Sequence, residues 1–239
     1  MSWYVPFHKL SQEQRWIATN ALDNPNHIIW VRGYAGVGKT TVLFQMAEIF
    51  RNIYSDKSIA IITYTHALVE MLQMSLEGYK DITNAKVMTY NAFVRQSLHF
   101  DYVFLDEVQD VTDWDLWQIK QKSTHLYVAG DFNQQIYGSS ISETKFIDML
   151  SPNISELREV YRLTKTVANV ANHILPTANI LAGSFVNTNA DTTAKLIKFN
   201  DIHDEYEWLI KESNQRARAF KPSAILFSYH SNSKKPLAS

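Results

Sequence analysis

Residues Gly33-Tyr34-Ala35-Gly36-Val37-Gly38-Lys39-Thr40 stand between an apolar run, His27–Val31, and a helix-forming stretch, Thr41–Phe50. No other feature constrains the chain as much. The spacing G-x-x-x-x-G-K-T at a strand-to-helix junction lets a loop wrap a polyphosphate, because glycines permit the turning and close approach that aim several N–H groups at phosphate oxygens. A helix starting near Lys39 adds the positive end of its dipole. Lys39 is expected to reach the β- and γ-phosphates of a nucleoside triphosphate, and the Thr40 hydroxyl to sit on Mg²⁺. The expected binding set is therefore Gly33, Ala35, Gly36, Val37, Gly38, Lys39, Thr40 and Thr41. Glycine is scarce elsewhere: three of the seven in the chain lie between Gly33 and Gly38.

Short runs rich in Ile, Val, Phe and Tyr recur between helical stretches: His27–Val31, Ser58–Thr63, Ala85–Thr89, Tyr102–Leu105, His125–Ala129, Ala194–Phe199 and Ala224–Phe227. The intervening helices are expected at Ser11–Leu22, Thr40–Phe50, Ala67–Leu76, Trp114–Lys120, Thr144–Leu150, Thr164–Leu175 and Asp204–Ala217. That alternation reads as an α/β fold, a parallel sheet with helices on both faces, whose ligands sit beyond the carboxyl ends of the strands. Residues 1–175 form the expected main domain. In 176–191 Thr, Asn, Ala and Gly dominate and apolar periodicity fades, as in a linker or surface loop. Residues 192–239 restart with strand, helix and strand, either as an appendage on the first sheet or as the opening of a second domain.

The 239 residues, 46% hydrophobic and 20% charged, suffice for a sizeable core. A formal net charge of −1 leaves no electrostatic footprint for nucleic acid, so any such reading rests on motifs. The absence of cysteine excludes disulfides and thiolate metal sites and fits a reducing compartment. Apolar runs fall well short of the ~18 residues of a membrane span, and the N-terminus lacks a signal pattern, so a cytoplasmic protein without membrane contact is expected.

Two further strands end in functional residues. Phe100–Leu105 runs into Asp106-Glu107-Val108-Gln109-Asp110, where Asp106 would hold Mg²⁺ and Glu107 would orient and deprotonate an attacking water. His125–Ala129 runs into Gly130-Asp131-Phe132-Asn133-Gln134-Gln135-Ile136-Tyr137, and Gln134 is the amide suited to contact a γ-phosphate or the water. Trp114 and Trp117 read as core or interface packing. His66 and His99 have no metal-ligand partners at suitable spacing.

The ordered set resembles the first RecA-like domain of UvrD/Rep-type superfamily 1 DNA helicases over nearly the whole chain. Asp106–Asp110 matches that family's motif II, D-E-x-Q-D, and Gly130–Tyr137 its motif III, G-D-x-x-Q-x-I-Y. Leu10-Ser11-Gln12-Glu13-Gln14 resembles the Q motif, which implies that Gln14 reads adenine and selects ATP. Leu157-Arg158-Glu159-Val160-Tyr161-Arg162 resembles motif IV, which implies that Arg162 stabilises the transferring charge. Ile62-Thr63-Tyr64-Thr65-His66-Ala67 resembles motif Ia, and Thr89-Tyr90-Asn91-Ala92-Phe93 the T-x-H-x-F motif, both of which border single-stranded DNA in the family. The implied nucleic-acid set is Tyr64, Thr65, His66, Thr89, Asn91 and Tyr137, with RNA not excluded. Tyr64, Tyr90 and Tyr137 suit base stacking and suit packing or a rim equally well.

The chain also departs from the family pattern. Gly138-Ser139-Ser140 stands where Trp-Arg is common, removing a stacking platform that is worth about 1–3 kcal/mol per base. Only Val94 to Asp101 separate the T-x-H-x-F-like motif from the strand of motif II, where large members insert a subdomain. Motifs V and VI have no counterpart before Ser239, and 194–228 resembles the start of the second RecA-like domain. A longer chain or a partner would supply those motifs. Two readings follow: a single-stranded DNA translocase or helicase motor that binds Mg·ATP and hydrolyses it slowly in isolation, or a helicase-derived nucleotide- or DNA-binding regulatory module that unwinds nothing.

Overall fold

The computed structural model describes residues 5–23, 27–64, 66–76, 85–135, 137–138, 140–186 and 197–218. Six parallel strands form the central sheet: β1 (Ile29–Gly33), β2 (Ile59–Thr63), β3 (Lys86–Thr89), β4 (Phe100–Leu105), β5 (Ser123–Gly130) and β6 (Asn153–Leu157), in the order β3-β2-β4-β5-β1-β6. The tips of β4, β5, β1 and β6 are thereby consecutive along one edge.

Alternation along each strand sorts the core into two layers. Ile29, Val31, Ile61, Phe104, Tyr127 and Ala129 face one cluster, built with α1 (Gln12–Asp23) and α2 (Lys39–Ile53). Trp30, Ala60, Ile62, Val103, Leu105 and Val128 face the other, built with α4 (Tyr90–Val94), α5 (Asp113–Gln121) and α6 (Glu143–Leu150). Because both faces are covered, the central strands read as continuous apolar runs. Strand β6 escaped the sequence reading for the opposite reason: it is an edge strand, with Asn153, Ile154 and Glu156 exposed and only Ser155 and Leu157 buried.

Helix starts follow local chemistry. Thr89, Thr112, Ser142 and Thr164 each accept a backbone N–H in the first turn of α4, α5, α6 and α7 (Lys165–Ile174), a cap worth about 1 kcal/mol apiece. Ser11 and Gln14 form a reciprocal capping box on α1. Helix α2 starts differently: Gly38 precedes it in the left-handed region, with no side-chain cap. Its first N–H groups have no capping side chain, which suits an anion.

Trp114 and Trp117 correct the core expectation. They are 63% and 43% exposed and stack on each other with ring centroids 5.0 Å apart, while Leu116 and Ile119 take the buried face of α5. Within 176–191, Pro176–Ala178 and Ile180–Ala182 form single 3₁₀ turns. There β8 (Ser184–Phe185) pairs in parallel with β7 (Glu159–Val160). Residues 187–191 lie outside the described residues.

The chain divides into two compact units, residues 1–194 and 195–239. In the second, α8 (Ile202–Arg218) packs Trp208 against Phe199 at a centroid distance of 5.9 Å. Residues 197–199, the described part of the expected strand Ala194–Phe199, are irregular. The expected strand Ala224–Phe227 lies outside the described residues. No helix among the described residues is long and apolar enough to cross a membrane.

Candidate functional site

The glycine loop closes over a cavity of about 230 Å³ lined by Ala35, Gly36, Gly38, Lys39, Thr40 and Thr41 from β1–α2. Asp106 and Glu107 reach it from the tip of β4, Gln134 from beyond β5, and Arg162 from just past β7. Residues far apart in sequence meet because their strands are neighbours. Phe44, Leu68 and Leu72 form an apolar wall on α2 and α3 (His66–Leu76), which the sequence reading missed. The i, i+4 spacing of Leu68 and Leu72 is the signal that could have found it.

Lys39 is only 8% exposed, and its Nζ donates to Gly33 O (2.8 Å) and Tyr34 O (3.1 Å). Burial holds its ammonium below the usual lysine range, against the pull of Glu107, Asp131 and Asp106. The Thr40 hydroxyl donates to Asp106 Oδ2 at 2.7 Å. Burial, and then the charge of Glu107, push the Asp106 carboxyl up to about 7, opposed by Thr40 and Lys39. A hydroxyl and a desolvated carboxylate side by side are hard oxygen donors that a small divalent cation would satisfy. No cluster of three or more His, Cys, Asp or Glu that could hold a metal ion occurs among the described residues. One carboxylate and one hydroxyl completed by substrate phosphates is the arrangement that suits Mg²⁺.

Neighbouring segments brace the loop. Gly36 O accepts the backbone N–H of Tyr161 (3.0 Å) and Arg162 (3.3 Å), and a Cβ on Gly36 would lie 2.7 Å from Arg162 Cβ. With φ at +78°, glycine is required there twice over. Gln14 occupies a place the sequence did not indicate. Its Nε2 donates to Val37 O (2.9 Å) and its Oε1 accepts from Ser11 N (3.1 Å), so the side chain supports the loop from behind and is not among the cavity-lining residues.

A second cluster sits where β2 and β3 end. Tyr64 stacks between Tyr90 (centroids 5.5 Å apart) and Tyr137 (4.9 Å), each at an interplanar angle of 26°. Tyr90 is buried and Tyr137 is 40% exposed, so the ladder runs from core to surface. Burial, with the Tyr137 and Tyr90 phenols next, pushes the Tyr64 phenol up to about 12. Asp110 lies close by. One of its carboxylate oxygens is buried without a partner, and burial plus Glu107 raise its carboxyl to about 6.

The other nucleic-acid candidates separate. His66 and Asn91 are exposed. Thr89 is 5% exposed, and its hydroxyl accepts from Ala92 N at 3.2 Å, because a threonine preceding a helix is drawn into capping it. Thr65 lies outside the described residues.

A glycine loop between strand and helix, facing an acid-tipped strand of the same parallel sheet, defines a P-loop NTPase-type fold. Residues 14–140 match the family described as an AAA domain, and the chain belongs to that family. No match was found among curated proteins. Among solved structures the chain is similar to arterivirus nonstructural protein 10, a helicase in complex with DNA (18% identity, TM-score 0.48, covering 77% of this chain and 46% of that one). It is also similar to the Pif1 helicase from Candida albicans (14%, 0.48, 94% and 60%) and to the UvsW helicase from bacteriophage T4 (14%, 0.47, 61% and 59%). The chain thus spans less than two thirds of the length of each.

Proposed function

We propose that this chain binds Mg·ATP in the glycine-loop cavity and hydrolyses it as the motor domain of a single-stranded DNA translocase or helicase. The observation that carries this reading is the convergence of Lys39, Thr40, Asp106, Glu107, Gln134 and Arg162 on one cavity, from three adjacent strand tips and from the segment that follows β7. The UvrD/Rep-type motif order supports the choice of motor over other phosphate chemistry.

The loop amides and the first turn of α2 would cradle the phosphates while Lys39 exchanges its two carbonyl partners for phosphate oxygens. Thr40 and Asp106 would hold Mg²⁺, which supplies charge neutralisation at the phosphates when bound. Glu107 accepts the proton of the attacking water, Gln134 contacts the γ-phosphate side, and Arg162 stabilises the charge that develops there. Gln14 selects adenine if its amide turns from Val37 O toward the base. Among the described residues Arg162 is the arginine at this cavity, so slow turnover is proposed for the chain alone. The tyrosine ladder, at the same edge of the sheet, offers the stacking surface for single-stranded bases.

The test is Mg·ATP binding, then single-turnover hydrolysis with and without oligo-dT. Binding with slow hydrolysis that oligo-dT accelerates is expected. Binding without any response to oligonucleotide favours a regulatory module, and no binding sinks the site.

A further inference from the structure

We infer that Gln109 is a positioning residue that fixes the Glu107 carboxylate and ties it, through Asp131, to the Gln134 amide. The inference rests on the proposed reading of Glu107 as base and Gln134 as γ-phosphate contact.

Three hydrogen bonds make the connection. Gln134 Nε2 donates to Asp131 Oδ2 (2.8 Å), Asp131 N donates to Gln109 Oε1 (3.1 Å), and Gln109 Nε2 donates to Glu107 Oε2 (2.8 Å). Gln109 is 2% exposed and Asp131 6%, so water competes little for these bonds. The orientation of the Gln109 amide is fixed by its partners, since a flipped amide would set NH₂ against the Asp131 N–H and oxygen against the Glu107 carboxylate. Only glutamine or a close relative supplies an acceptor and a donor at this reach.

The surroundings are shaped for this side chain. A Cβ on Gly130 would lie 2.4 Å from Gln109 Oε1, so the β5 tip admits the amide only because residue 130 is glycine. Gln135 Nε2 donates to Gln109 O (3.1 Å) and Ile141 O (2.8 Å), securing the turn from the other side. Glu107 has φ 54° and ψ 48°, a left-handed conformation uncommon for glutamate, and its side-chain direction from that backbone depends on the bond to Gln109. When Gln134 is drawn to a γ-phosphate, it pulls on the Asp131 carboxylate, whose backbone N–H holds Gln109, which holds Glu107.

The experiment is a double-mutant cycle on single-turnover ATP hydrolysis, with Mg·ATP affinity and thermal midpoint measured for each variant. Gln109→Ala and Gln134→Ala should each slow hydrolysis about 100-fold while Gln109→Ala leaves ATP affinity within about two-fold, and the double variant should be no slower than the slower single one. Gln109→Met, which keeps volume without hydrogen bonding, should be as slow as Gln109→Ala at a near wild-type midpoint. Multiplicative losses in the double variant, or full activity in Gln109→Met, overturn the relay while the ATPase reading stands. Wild-type chain that binds ATP and never hydrolyses it overturns the ATPase reading and the relay together.

Discussion

The glycine-loop cavity and the tyrosine ladder share one edge of one sheet and are built from opposite materials. In the cavity, polar groups are already committed to one another: Lys39 to two carbonyls, Thr40 to Asp106, Gln134 to Asp131, Gln109 to Glu107. A ligand must replace bonds that exist, so only a group matching their number and direction gains by entering. The ladder instead presents aromatic faces with one exposed end, Tyr137, and stacking tolerates any base. On the proposed reading, the difference teaches how one sheet edge would combine a selective site with a permissive one.

Four substitutions test that division. Glu107→Gln should lower single-turnover hydrolysis by about 10²–10⁴ while Mg·ATP and oligo-dT still bind. Retained hydrolysis would move the base elsewhere. Lys39→Ala removes a charge-assisted contact worth about 1.5–3 kcal/mol, so Mg·ATP affinity should fall roughly 10- to 100-fold by calorimetry, with oligonucleotide affinity unchanged. Equal losses for both ligands would erase the boundary between the two regions. Tyr64→Ala takes out the centre of the ladder. Anisotropy with labelled oligo-dT should show roughly ten-fold weaker binding while Mg·ATP affinity holds, and undiminished binding would make the ladder mere packing.

Asp110 lies between the regions and carries the smallest effect. Its folded carboxyl is raised from 3.8 to about 6, so the folded state holds this proton more tightly than the unfolded chain. Its contribution to stability is present in full below about pH 4 and is lost as pH rises to about 6. Asp110→Asn should therefore match wild type near pH 4 and exceed it above pH 6. The margin, discounted for partial exposure, is on the order of 1 kcal/mol or ~2–4 °C in thermal midpoint. A margin independent of pH would assign the Asp110 shift to another group.

Strands β1, β2, β4 and β5 were legible because buried parallel strands are unbroken apolar runs, and α2 because a glycine loop precedes an amphipathic stretch. Strand β6 was not, because an edge strand with Asn153, Ser155 and Glu156 resembles a loop. That Lys39, Thr40, Asp106, Glu107, Gln134 and Arg162 are residues to look at was legible from local spacing and the family resemblance, and the structure brings them to one cavity. The exposure of Trp114 and Trp117, the capping role of Thr89 and the support of the loop by Gln14 were not, since each depends on what packs alongside.

By itself the sequence determined the chemistry of each strand tip: a loop rich in N–H donors at Gly33–Thr40, acids at Asp106 and Glu107, an amide at Gln134. Those assignments are local, set by residue type and by spacing over a few positions. Tertiary structure alone decided that these tips are neighbours, through the order β4-β5-β1-β6, and that Gln109 bridges two of them. Strand order is a property of the whole packed sheet, fixed by covering both faces at once, and no local window of sequence contains it.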